Sequence, residues 1–394
     1  MKVKGFLTDV GGASRVSKAR LAAFENASPV PEKVDPIGNV AREWHPGKID
    51  LVVTKVTEIT KTTKTIRFER KDGKKLPPFY AGTFMTIDVP MGDSLLTRPY
   101  TISSAPFEAR LEEHAFVEIS VRRAKGDGLI CDYINDHFKV GDEFNGMIGL
   151  GQFFYEPLRD AKHIVALSGG IGITPFASMA KEINHGTLDV DLTILYGSNT
   201  SDDIAMKDEL DAIKSSKVHV VYVLSGDEPG WTGERGFITA ELIKKYSAPD
   251  SSYFICGPQP MYEPMRKALA EIGAPKRRVR FEVFGQPKDI TKYGYPAELA
   301  DQTFNLTVVR GIHEDVIPAI GRESLVVALE RAGIRIETGC RSGECGFCRT
   351  KLLSGNVFIS PISDGRRAAD KDFNYLHACA AYPTSDLKIK IPIE

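Results

Sequence analysis

The chain has 394 residues, a length that predicts roughly two to four domains rather than one. It is 42% hydrophobic and 26% charged with a formal net charge of −1, which gives no general electrostatic reason to expect nucleic acid or an anionic membrane as a partner. No apolar run reaches the length of about 18 residues that a membrane span needs, and the N-terminus lacks the apolar core of a secretory signal. We therefore expect a cytoplasmic protein without a membrane span.

Two segments open the chain. Residues 1 to 48 hold four prolines and one short helical stretch, SRVSKARLAAFEN, and their weak patterning predicts a surface extension of unknown role. Residues 49 to 157 contain several short strand-like segments, such as IDLVVTKVTEI and AFVEISVRR, with no long helix between most of them. Short strands at this close spacing predict an antiparallel β-barrel.

Three further segments follow. Residues 158 to 286 alternate short apolar runs, such as HIVALSGG and SYFICGP, with helical stretches such as PFASMAKEINHG, DIAMKDELDAIKSS and PMYEPMRKALAEIG. This alternation predicts an α/β domain with a parallel sheet, and Gly186 and Gly273 stand where two of its helices are expected to end. Residues 287 to 303 are polar and irregular, which predicts a linker, and residues 304 to 394 form a small unit around a cysteine-rich loop.

That loop, CRSGECGFC at residues 340 to 348, contains three of the six cysteines. A disulfide framework, a zinc site, a redox-active thiol pair and an iron–sulfur cluster are the candidate explanations. Reduced cytoplasmic thiols argue against a disulfide, and zinc ligands usually come as two separated short pairs. The spacing of Cys340, Cys345 and Cys348, with a fourth thiol at Cys379, fits a plant-type [2Fe–2S] cluster better.

The residues between these cysteines also suit a cluster. Ser342, Gly343 and Gly346 are small, so the backbone can wrap an inorganic core and aim N–H groups at its sulfurs. Residues 304 to 394 resemble plant-type ferredoxins, which have the β-grasp fold and one [2Fe–2S] cluster. The resemblance implies a carrier of single electrons. The cluster ligands that it implies are Cys340, Cys345, Cys348 and Cys379.

A glycine-rich turn opens the α/β segment, in HIVALSGGIGITPFASMA. Gly169, Gly170 and Gly172 follow a predicted strand, and Thr174 and Pro175 stand where a helix N-cap and a first helical residue are expected. Backbone N–H groups at such a helix start favour an anion, and a pyrophosphate is the natural guest. These glycines are also explained by a tight turn alone. Because Pro175 replaces the last glycine of the usual dinucleotide fingerprint, an ordinary Rossmann dehydrogenase is disfavoured.

This segment resembles the nicotinamide domain of the ferredoxin–NADP reductase family of flavoproteins. The family's Gly-Gly-x-Gly-x-x-Pro stretch matches GGIGITP, and later family segments match LYGS, CGPQPMYEPM and FEVFG in the same order. The resemblance implies that Cys256 and Thr174 position the nicotinamide. From the residues alone, Cys256 is equally explained as a small core residue. The nicotinamide-binding residues implied are Gly169, Gly170, Gly172, Thr174, Pro175, Gly197, Ser198, Cys256, Gly257 and Pro258.

The stretch RPYTISS, within the predicted barrel, looks like the flavin motif of the same family. Tyr100 offers a flat face to the flavin ring, Arg98 a fixed cation for its phosphates, and Thr101 a hydroxyl. Tyrosine and arginine on a strand are also common as cross-strand partners, but the seven-residue match favours the flavin. The residues implied by this motif are Arg98, Pro99, Tyr100, Thr101, Ser103 and Ser104.

Two other segments are implied in flavin binding by the same resemblance. VRRAKGDGLICDYINDH resembles the family's helix start that binds the flavin pyrophosphate, with residues Arg122, Gly126, Gly128, Leu129, Ile130 and Cys131. Cys131 replaces a hydroxyl residue and is a poorer hydrogen-bond partner, which leaves FMN open, although the motif and the domain order favour FAD. Glu282 is expected to tune the flavin environment, or else to be a solvated carboxylate. Phe284 is expected to stack on the flavin or to belong to the core.

The three predicted sites make one electron path. Nicotinamide gives up two electrons together as hydride, whereas a [2Fe–2S] cluster takes one at a time. A flavin connects them because it exchanges electrons both in pairs and singly, so the path runs from NAD(P)H to FAD, to the cluster and out, without a general base. A 2′-phosphate usually requires an arginine near the end of the second strand, where YGSNTSDD instead places Asp202 and Asp203, which favours NADH.

We therefore expect an NAD(P)H-dependent flavin and iron–sulfur reductase that passes electrons to a separate protein such as a terminal oxygenase. The domain order resembles the reductases of multicomponent oxygenases and the hybrid-cluster-protein reductases. One alternative acceptor is free flavin, a quinone, or a corrinoid or radical enzyme system. Another alternative is a non-catalytic electron-carrier module. The mixed charges of ISDGRRAADKDF, near Cys379, do not identify the partner.

Overall fold

The computed structural model describes residues 6–27, 35–124, 126 and 128–392. The chain divides into two compact units, Met1–His45 and Pro46–Glu394, which are taken separately. Among the described residues, no helix has both the length and the apolar character needed to cross a membrane.

In its described residues, the first unit has two helices, α1 (Phe6–Glu25) and α2 (Pro36–Trp44). The helical stretch predicted near residue 14 lies inside α1, whereas α2 was not predicted. The carboxylate of Asp35 accepts a hydrogen bond from the N–H of Gly38 at 2.8 Å, and proline follows at the first helical position, so α2 has a regular N-terminus.

An antiparallel barrel begins the second unit, as predicted. Its strands follow the order β4-β3-β6-β1-β2-β5, and a bridge between Ile102 and Ile119 joins the two edges of the sheet. Side chains such as Leu51, Phe68 and Met85 fill the interior. The elements are β1 (Ile49–Thr60), β2 (Thr63–Arg70), β3 (Phe84–Met91), β4 (Ser94–Thr101), β5 (Phe116–Arg122), α3 (Leu129–His137) and β6 (Glu143–Leu150).

The predicted parallel α/β sheet follows, with strand order β10-β9-β8-β7-β11-β12. Its central strands are apolar and buried on both faces, because helices cover both sides. Gly186 ends α4 in the left-handed region at φ +89°, as expected of a helix C-terminus. The elements are β7 (His163–Gly169), α4 (Thr174–His185), β8 (Asp191–Ser198), α5 (Lys207–Asp211), β9 (Val218–Leu224), β10 (Glu234–Arg235), α6 (Ala240–Tyr246), β11 (Ser251–Cys256), α7 (Gln259–Glu271) and β12 (Val279–Glu282).

The helical stretch predicted at DIAMKDELDAIKSS is confirmed only in part, since the helix within it, α5, has five residues. Two side chains from elsewhere take the backbone groups that a longer helix would use. The hydroxyl of Tyr196 accepts from the N–H of Ala205 at 3.1 Å, and the side chain of Asn184 accepts from the N–H of Lys214 at 3.0 Å. These bonds fix both flanks of α5 in non-helical conformations.

The predicted linker is an ordered segment. Within it, Ile290 and Tyr295 are buried, and the Tyr295 hydroxyl donates to the carbonyl of Pro383 at 2.6 Å. The ring of Tyr295 also meets Phe358 edge to face, with centroids 5.6 Å apart. The linker thus packs against the C-terminal domain through buried side chains that the polar sequence pattern did not reveal.

The C-terminal domain has the predicted β-grasp fold. Its main sheet has the order β14-β13-β19-β15-β17, in which β13 and β19 are parallel, and helix α8 packs on one face through Leu325 and Leu329. The elements are β13 (Thr303–Arg310), β14 (His313–Ile320), α8 (Leu325–Arg331), β15 (Arg349–Ser354), β16 (Val357–Ile359), α9 (Ala368–Asp372), β17 (Tyr375–His377), β18 (Ala381–Pro383) and β19 (Leu387–Lys390).

A buried ion pair joins the end of the barrel segment to the α/β domain. Arg280 on β12 pairs with Asp160, with Nη2 and Oδ2 2.6 Å apart and with side-chain exposures of 7% and 0%. The same guanidinium donates to the carbonyl oxygens of Gln152 at 2.9 Å and Phe154 at 2.6 Å. Arg280 therefore sets the position of the segment through which the barrel leads into the α/β sheet.

Replacing Asp160 with Asn should lower the free energy of unfolding by about 3 kcal/mol, because Arg280 would keep a buried charge without its partner. Urea unfolding measures the change. Asp189→Asn is a control, since Asp189 is 72% exposed and pairs with Lys162 in solvent. If both substitutions lowered the free energy of unfolding equally, the buried charge of Arg280 would not depend on Asp160 for its stability.

Candidate functional site

A cavity of about 530 Å³ opens at the carboxyl ends of β7, β8 and β9. Five residues predicted to bind nicotinamide coenzyme line it: Gly169, Gly170, Gly197, Ser198 and Pro258. Ligands of parallel sheets bind at this edge, where the loops after the strands meet. The structure therefore brings together residues that the sequence separates by nearly 90 positions.

Glycine is required here because two loops approach closely. A Cβ atom on Gly172 would lie 2.2 Å from the carbonyl oxygen of Cys256, and one on Gly257 would lie 3.2 Å from the backbone nitrogen of Gly169. Gly170 has a φ of +55° in the left-handed region. The glycines thus bring the turn after β7 against the turn after β11, and the cavity lies beside this contact.

The N-cap of α4 lies one residue before Thr174, the residue at which it was predicted. Thr174 is the first residue of α4 with helical φ and ψ, and Ile173 occupies the N-cap position, so the prediction of Thr174 as the N-cap is wrong. A 3₁₀ turn at Gly170–Ile173 runs directly into the helix. The Thr174 hydroxyl accordingly donates back to the carbonyl of Ile171 at 3.2 Å, and Pro175 follows as the second helical residue.

Cys256 and Glu282 end neighbouring parallel strands and pair directly in register. Cys256 is buried, and burial raises the pKa of its thiol well above the usual range, so the thiol stays protonated. Burial also raises the pKa of Glu282, with further contributions from the charges of Glu344 and Cys340. Glu282 as a whole is half-buried, and its expected role in tuning the flavin environment stays a prediction.

Tyr100 and Arg98 lie on β4, the barrel strand that follows β3 in the sheet. The Tyr100 hydroxyl lies 3.9 Å from the sulfur of Cys131 on α3, within hydrogen-bonding reach for sulfur. Pro99 and Thr101 complete the motif, with Thr101 buried. The structure therefore places the two predicted flavin segments side by side.

Ser103 and Ser104 have hydrogen bonds within the barrel. The hydroxyl of Ser103 donates to the carbonyl of Glu118 at 3.2 Å, and that of Ser104 accepts from the N–H of Glu118 at 2.9 Å. These bonds join the end of β4 to β5, which helps to close the barrel. The proposal that both hydroxyls bind flavin gains no support from these contacts.

The start of α3 suits an anion. Gly128 is its N-cap, and among the described residues no side chain caps the first turn, which contains Leu129, Ile130 and Cys131. A Cβ on Gly128 would lie 2.3 Å from that of Ala124, so glycine is required. Just before this segment, Arg122 pairs with Asp203 of the α/β domain at 3.0 Å, and Gly126 has a φ of +104°.

Phe284 follows β12 and meets Phe84 of the barrel edge to face, with ring centroids 5.6 Å apart. This contact is made between the barrel and the α/β domain. Of the two roles left open, the core role is therefore the one that the contact supports, while stacking on a flavin remains a prediction.

The four predicted cluster ligands approach as two pairs. The N–H of Cys340 donates to the sulfur of Cys345 at 3.3 Å, and the N–H of Cys379 donates to the sulfur of Cys348 at 3.5 Å. Hydrogen bonding from Cys345 lowers the pKa of Cys340, and hydrogen bonding from Cys379 lowers that of Cys348. The same pairing raises the pKa values of Cys345 and Cys379, so within each pair the two sulfurs share one proton more readily than they hold two.

Two pairs suit a two-iron cluster, in which each iron takes two thiolates. Within the described parts of the chain, no three histidine, cysteine or acidic side chains are grouped so as to hold a metal ion. Backbone N–H groups of Ser342 and Cys345 point at the sulfur of Cys340, at 3.4 and 3.3 Å. Such donors stabilise negative charge on cluster sulfurs, so the residues present fit the group.

Several residues at these sites escaped the sequence analysis. Glu344 stands inside the cysteine motif, and its charge affects Glu282 of the α/β domain. Phe237, which is 79% exposed, and Met261 line the coenzyme cavity. No local pattern marks them, because each gains its position from contacts between distant segments.

Comparison with known proteins gives matches over each domain. Family models match residues 50–155 as an oxidoreductase FAD-binding domain, 166–267 as an oxidoreductase NAD-binding domain and 311–384 as a 2Fe-2S iron-sulfur cluster binding domain. The chain is 28% identical over 332 residues to the glycine betaine monooxygenase reductase subunit of Chromohalobacter salexigens, covering 79% of this chain and 87% of that protein.

Two further matches extend over most of the chain. The carnitine monooxygenase reductase subunit of Escherichia coli K12 is 27% identical over 290 residues, with coverage of 73% of this chain and 80% of that protein. The fold is that of phthalate dioxygenase reductase, with a TM-score of 0.64 at 23% identity and coverage of 88% and 98%.

The fold, the three sites and the family models together define a pyridine-nucleotide-dependent flavoprotein with an iron–sulfur domain. The chain carries these three domains in the order found in the ferredoxin–NADP reductase-like flavoprotein reductases with a C-terminal plant-type [2Fe–2S] ferredoxin domain, and it is similar to them along most of its length. It is an NAD(P)H-dependent oxidoreductase that transfers electrons through FAD to the cluster. The FAD-binding family model favours FAD over FMN.

Replacing Cys345 with Ser should abolish electron transfer to a one-electron protein acceptor while NADH oxidation by a small dye stays largely intact, because a hydroxyl is a poor ligand for iron. Iron content, the visible spectrum and the two steady-state activities measure the outcome. Replacing Ser354 with Ala serves as the control, since Ser354 is exposed at the end of β15, outside the cluster loop. Survival of both activities in C345S would contradict the order of the path.

Proposed function

We propose that this chain is the reductase component of a multicomponent oxygenase, with NADH as donor and a separate oxygenase protein as acceptor. The main support is the convergence of three sites in one compact unit. These are the coenzyme edge at Cys256 and Glu282, the flavin strand at Arg98 and Tyr100, and the cysteine loop. The similarity to reductase subunits of glycine betaine and carnitine monooxygenases favours an oxygenase over a quinone, free flavin or a corrinoid or radical system.

In this proposal each cofactor is held by residues of the chain. The turn at Gly169 and Gly170 presents backbone to the coenzyme pyrophosphate, while Arg98 and the start of α3 hold the flavin phosphates. When bound, the flavin accepts hydride and releases electrons singly, and the cluster carries one electron at a time. The buried Cys256 excludes water at the nicotinamide edge without adding charge.

Glu282 has a distinct role at the same edge. Burial raises the pKa of its carboxyl well above the usual range, which favours the neutral form and makes Glu282 a candidate for tuning the flavin environment. The hydroxyl of Tyr262 donates to the backbone carbonyl of Glu282 at 2.6 Å, which holds the end of β12 in place. The assignments of individual site residues, the domain limits and the cytoplasmic location stay predictions.

An anaerobic titration with NADH, followed by turnover assays, tests the proposed function. The flavin and cluster bands should both bleach, and NADH oxidation should then couple to product formation with the oxygenase component of a glycine betaine or carnitine monooxygenase. Free flavin, a quinone and a dye serve as comparison acceptors. Faster reduction of free flavin or quinone than of every oxygenase component would contradict an oxygenase as the partner.

Coenzyme choice depends on the carboxylate of Asp203. This residue lines the coenzyme cavity after the second parallel strand and pairs with Arg122, which leaves that guanidinium engaged. A 2′-phosphate would meet the Asp203 carboxylate, whereas a free 2′-hydroxyl could donate a hydrogen bond to it. Asp202 is 83% exposed and lies 4.0 Å from Lys61, so it is not part of the cavity.

Replacing Asp203 with Ala should raise kcat/KM for NADPH about tenfold, because it removes about 1.4 kcal/mol of repulsion and releases Arg122. It should lower kcat/KM for NADH at the same time. Steady-state dye reduction with each coenzyme measures both values, and Asp202→Ala is the matched control. A wild-type preference for NADPH, or equal effects of the two substitutions, would contradict this account of coenzyme choice.

A further inference from the structure

The carboxylate of Glu330 lies between two guanidinium groups that come from different domains. Its Oε1 accepts from Nη1 of Arg98 at 3.1 Å, and Arg98 belongs to the flavin strand β4. Its two oxygens also accept from Arg341 in the cysteine loop, at 2.6 Å from Nη1 and 3.1 Å from Nη2. One side chain of α8 thus bridges the flavin motif and the cluster loop.

This bridge is largely removed from solvent. The side chains of Arg98, Glu330 and Arg341 are 22%, 12% and 12% exposed. Ion pairs with two parallel hydrogen bonds fix direction as well as distance, and at this degree of burial solvent screens them little. A second contact supports the first, because the hydroxyl of Ser94 on β4 donates to the backbone carbonyl of Glu330 at 2.7 Å.

Arg341 itself shows that the bridge constrains the loop. It directly follows the ligand Cys340 and has a φ of +56°, in the left-handed region that costs a non-glycine residue about 1 kcal/mol or more. Such a conformation persists only when its surroundings hold it in place. Glu330 binds the Arg341 side chain, and the side-chain N–H of Gln286 donates to the Arg341 carbonyl at 3.4 Å.

We propose that Glu330 is a positioning residue that fixes the cluster loop against the flavin-binding strand and thereby sets the rate of electron transfer from flavin to cluster. In that step the flavin is oxidised and the cluster reduced by one electron. The inference rests on the relay within the chain and holds whichever protein accepts the electrons. Glu330 acts through Arg341 and Arg98 and makes no contact with the reacting atoms.

The charges of the bridge agree with a role at the cofactors. Among these three largely buried side chains, the two guanidinium groups exceed the single carboxylate by one positive charge. A phosphate group of the flavin, bound at Arg98, would compensate that charge. Docking of the ferredoxin domain and binding of the flavin are therefore coupled through the same guanidinium.

The test compares two rates in the same anaerobic stopped-flow reaction with NADH. In Glu330→Gln, the ratio of the rate of cluster reduction to the rate of flavin reduction should fall severalfold, because the loop is no longer held against β4 and electron transfer slows steeply as the cofactors separate. Glu314→Gln is the matched control, since Glu314 pairs with Lys388 inside the ferredoxin domain, and it should keep the wild-type ratio. An unchanged ratio in Glu330→Gln, with full flavin and iron content, would overturn the proposal.

Two further measurements separate positioning from folding. Hydrogen exchange of the cofactor-free protein should become faster in residues 338–349 of Glu330→Gln, and an unchanged exchange pattern there would count against the bridge. Because Glu330 acts through Arg341, Glu330→Gln and Arg341→Gln together should slow the cluster step no more than either alone. If the double variant lost as much rate of cluster reduction as the two single variants combined, Glu330 would not act through Arg341.

If the Glu330→Gln protein does not incorporate the cluster, the Arg341→Lys protein tests the positioning role instead. Lysine keeps the positive charge but cannot form two parallel hydrogen bonds. A lower ratio of cluster reduction to flavin reduction in this variant supports the positioning role, and a wild-type ratio overturns it.

Discussion

Two electrons enter this protein together and leave one at a time, so one flavin must lie within reach of both a nicotinamide and an iron–sulfur cluster. This requirement explains why the three domains meet where they do. The carboxyl edge of the parallel sheet, at Cys256 and Glu282, faces the cysteine loop, and β4 of the barrel reaches the same loop through Glu330. Each fold is a familiar one, and the function arises from the point at which their loops approach one another.

Ion pairs hold that point together. Arg122 with Asp203 and Arg98 with Glu330 each link one domain to another. Arg280, which pairs with Asp160 inside the α/β domain, donates to two carbonyl oxygens of the segment that leads out of the barrel. A partly buried pair gains little stability over apolar packing of the same size, but it allows few arrangements, because a misplaced charge is costly. Such contacts suit an electron carrier, in which the separation between cofactors matters more than the total strength of the interface. Apolar side chains build each core, and charged ones determine how the cores are arranged.

Local sequence patterns predicted the features that depend on neighbouring residues. The cysteine spacing, the glycines after β7 and the alternation of strands and helices all have a chemical reason within a few positions, and they identified three domains and their cofactors. The errors share another cause. The helix expected around residue 210 is cut short by Tyr196 and Asn184, and the importance of Glu330 depends on arginines far away in sequence. A single sequence does not state which distant side chains will compete for a backbone group or a charge.

The attachment of the ferredoxin domain determines how the electron acceptor reaches the cluster. Ile290 and Tyr295 pack on the ferredoxin domain, and Glu330 of that domain accepts hydrogen bonds from Arg98 and Ser94 of the barrel, so the ferredoxin domain is anchored rather than tethered. An anchored ferredoxin domain does not move away from the flavin to deliver its electron. The acceptor must make the diffusive search and dock beside a stationary cluster, and each turnover needs two such visits because only one electron leaves at a time.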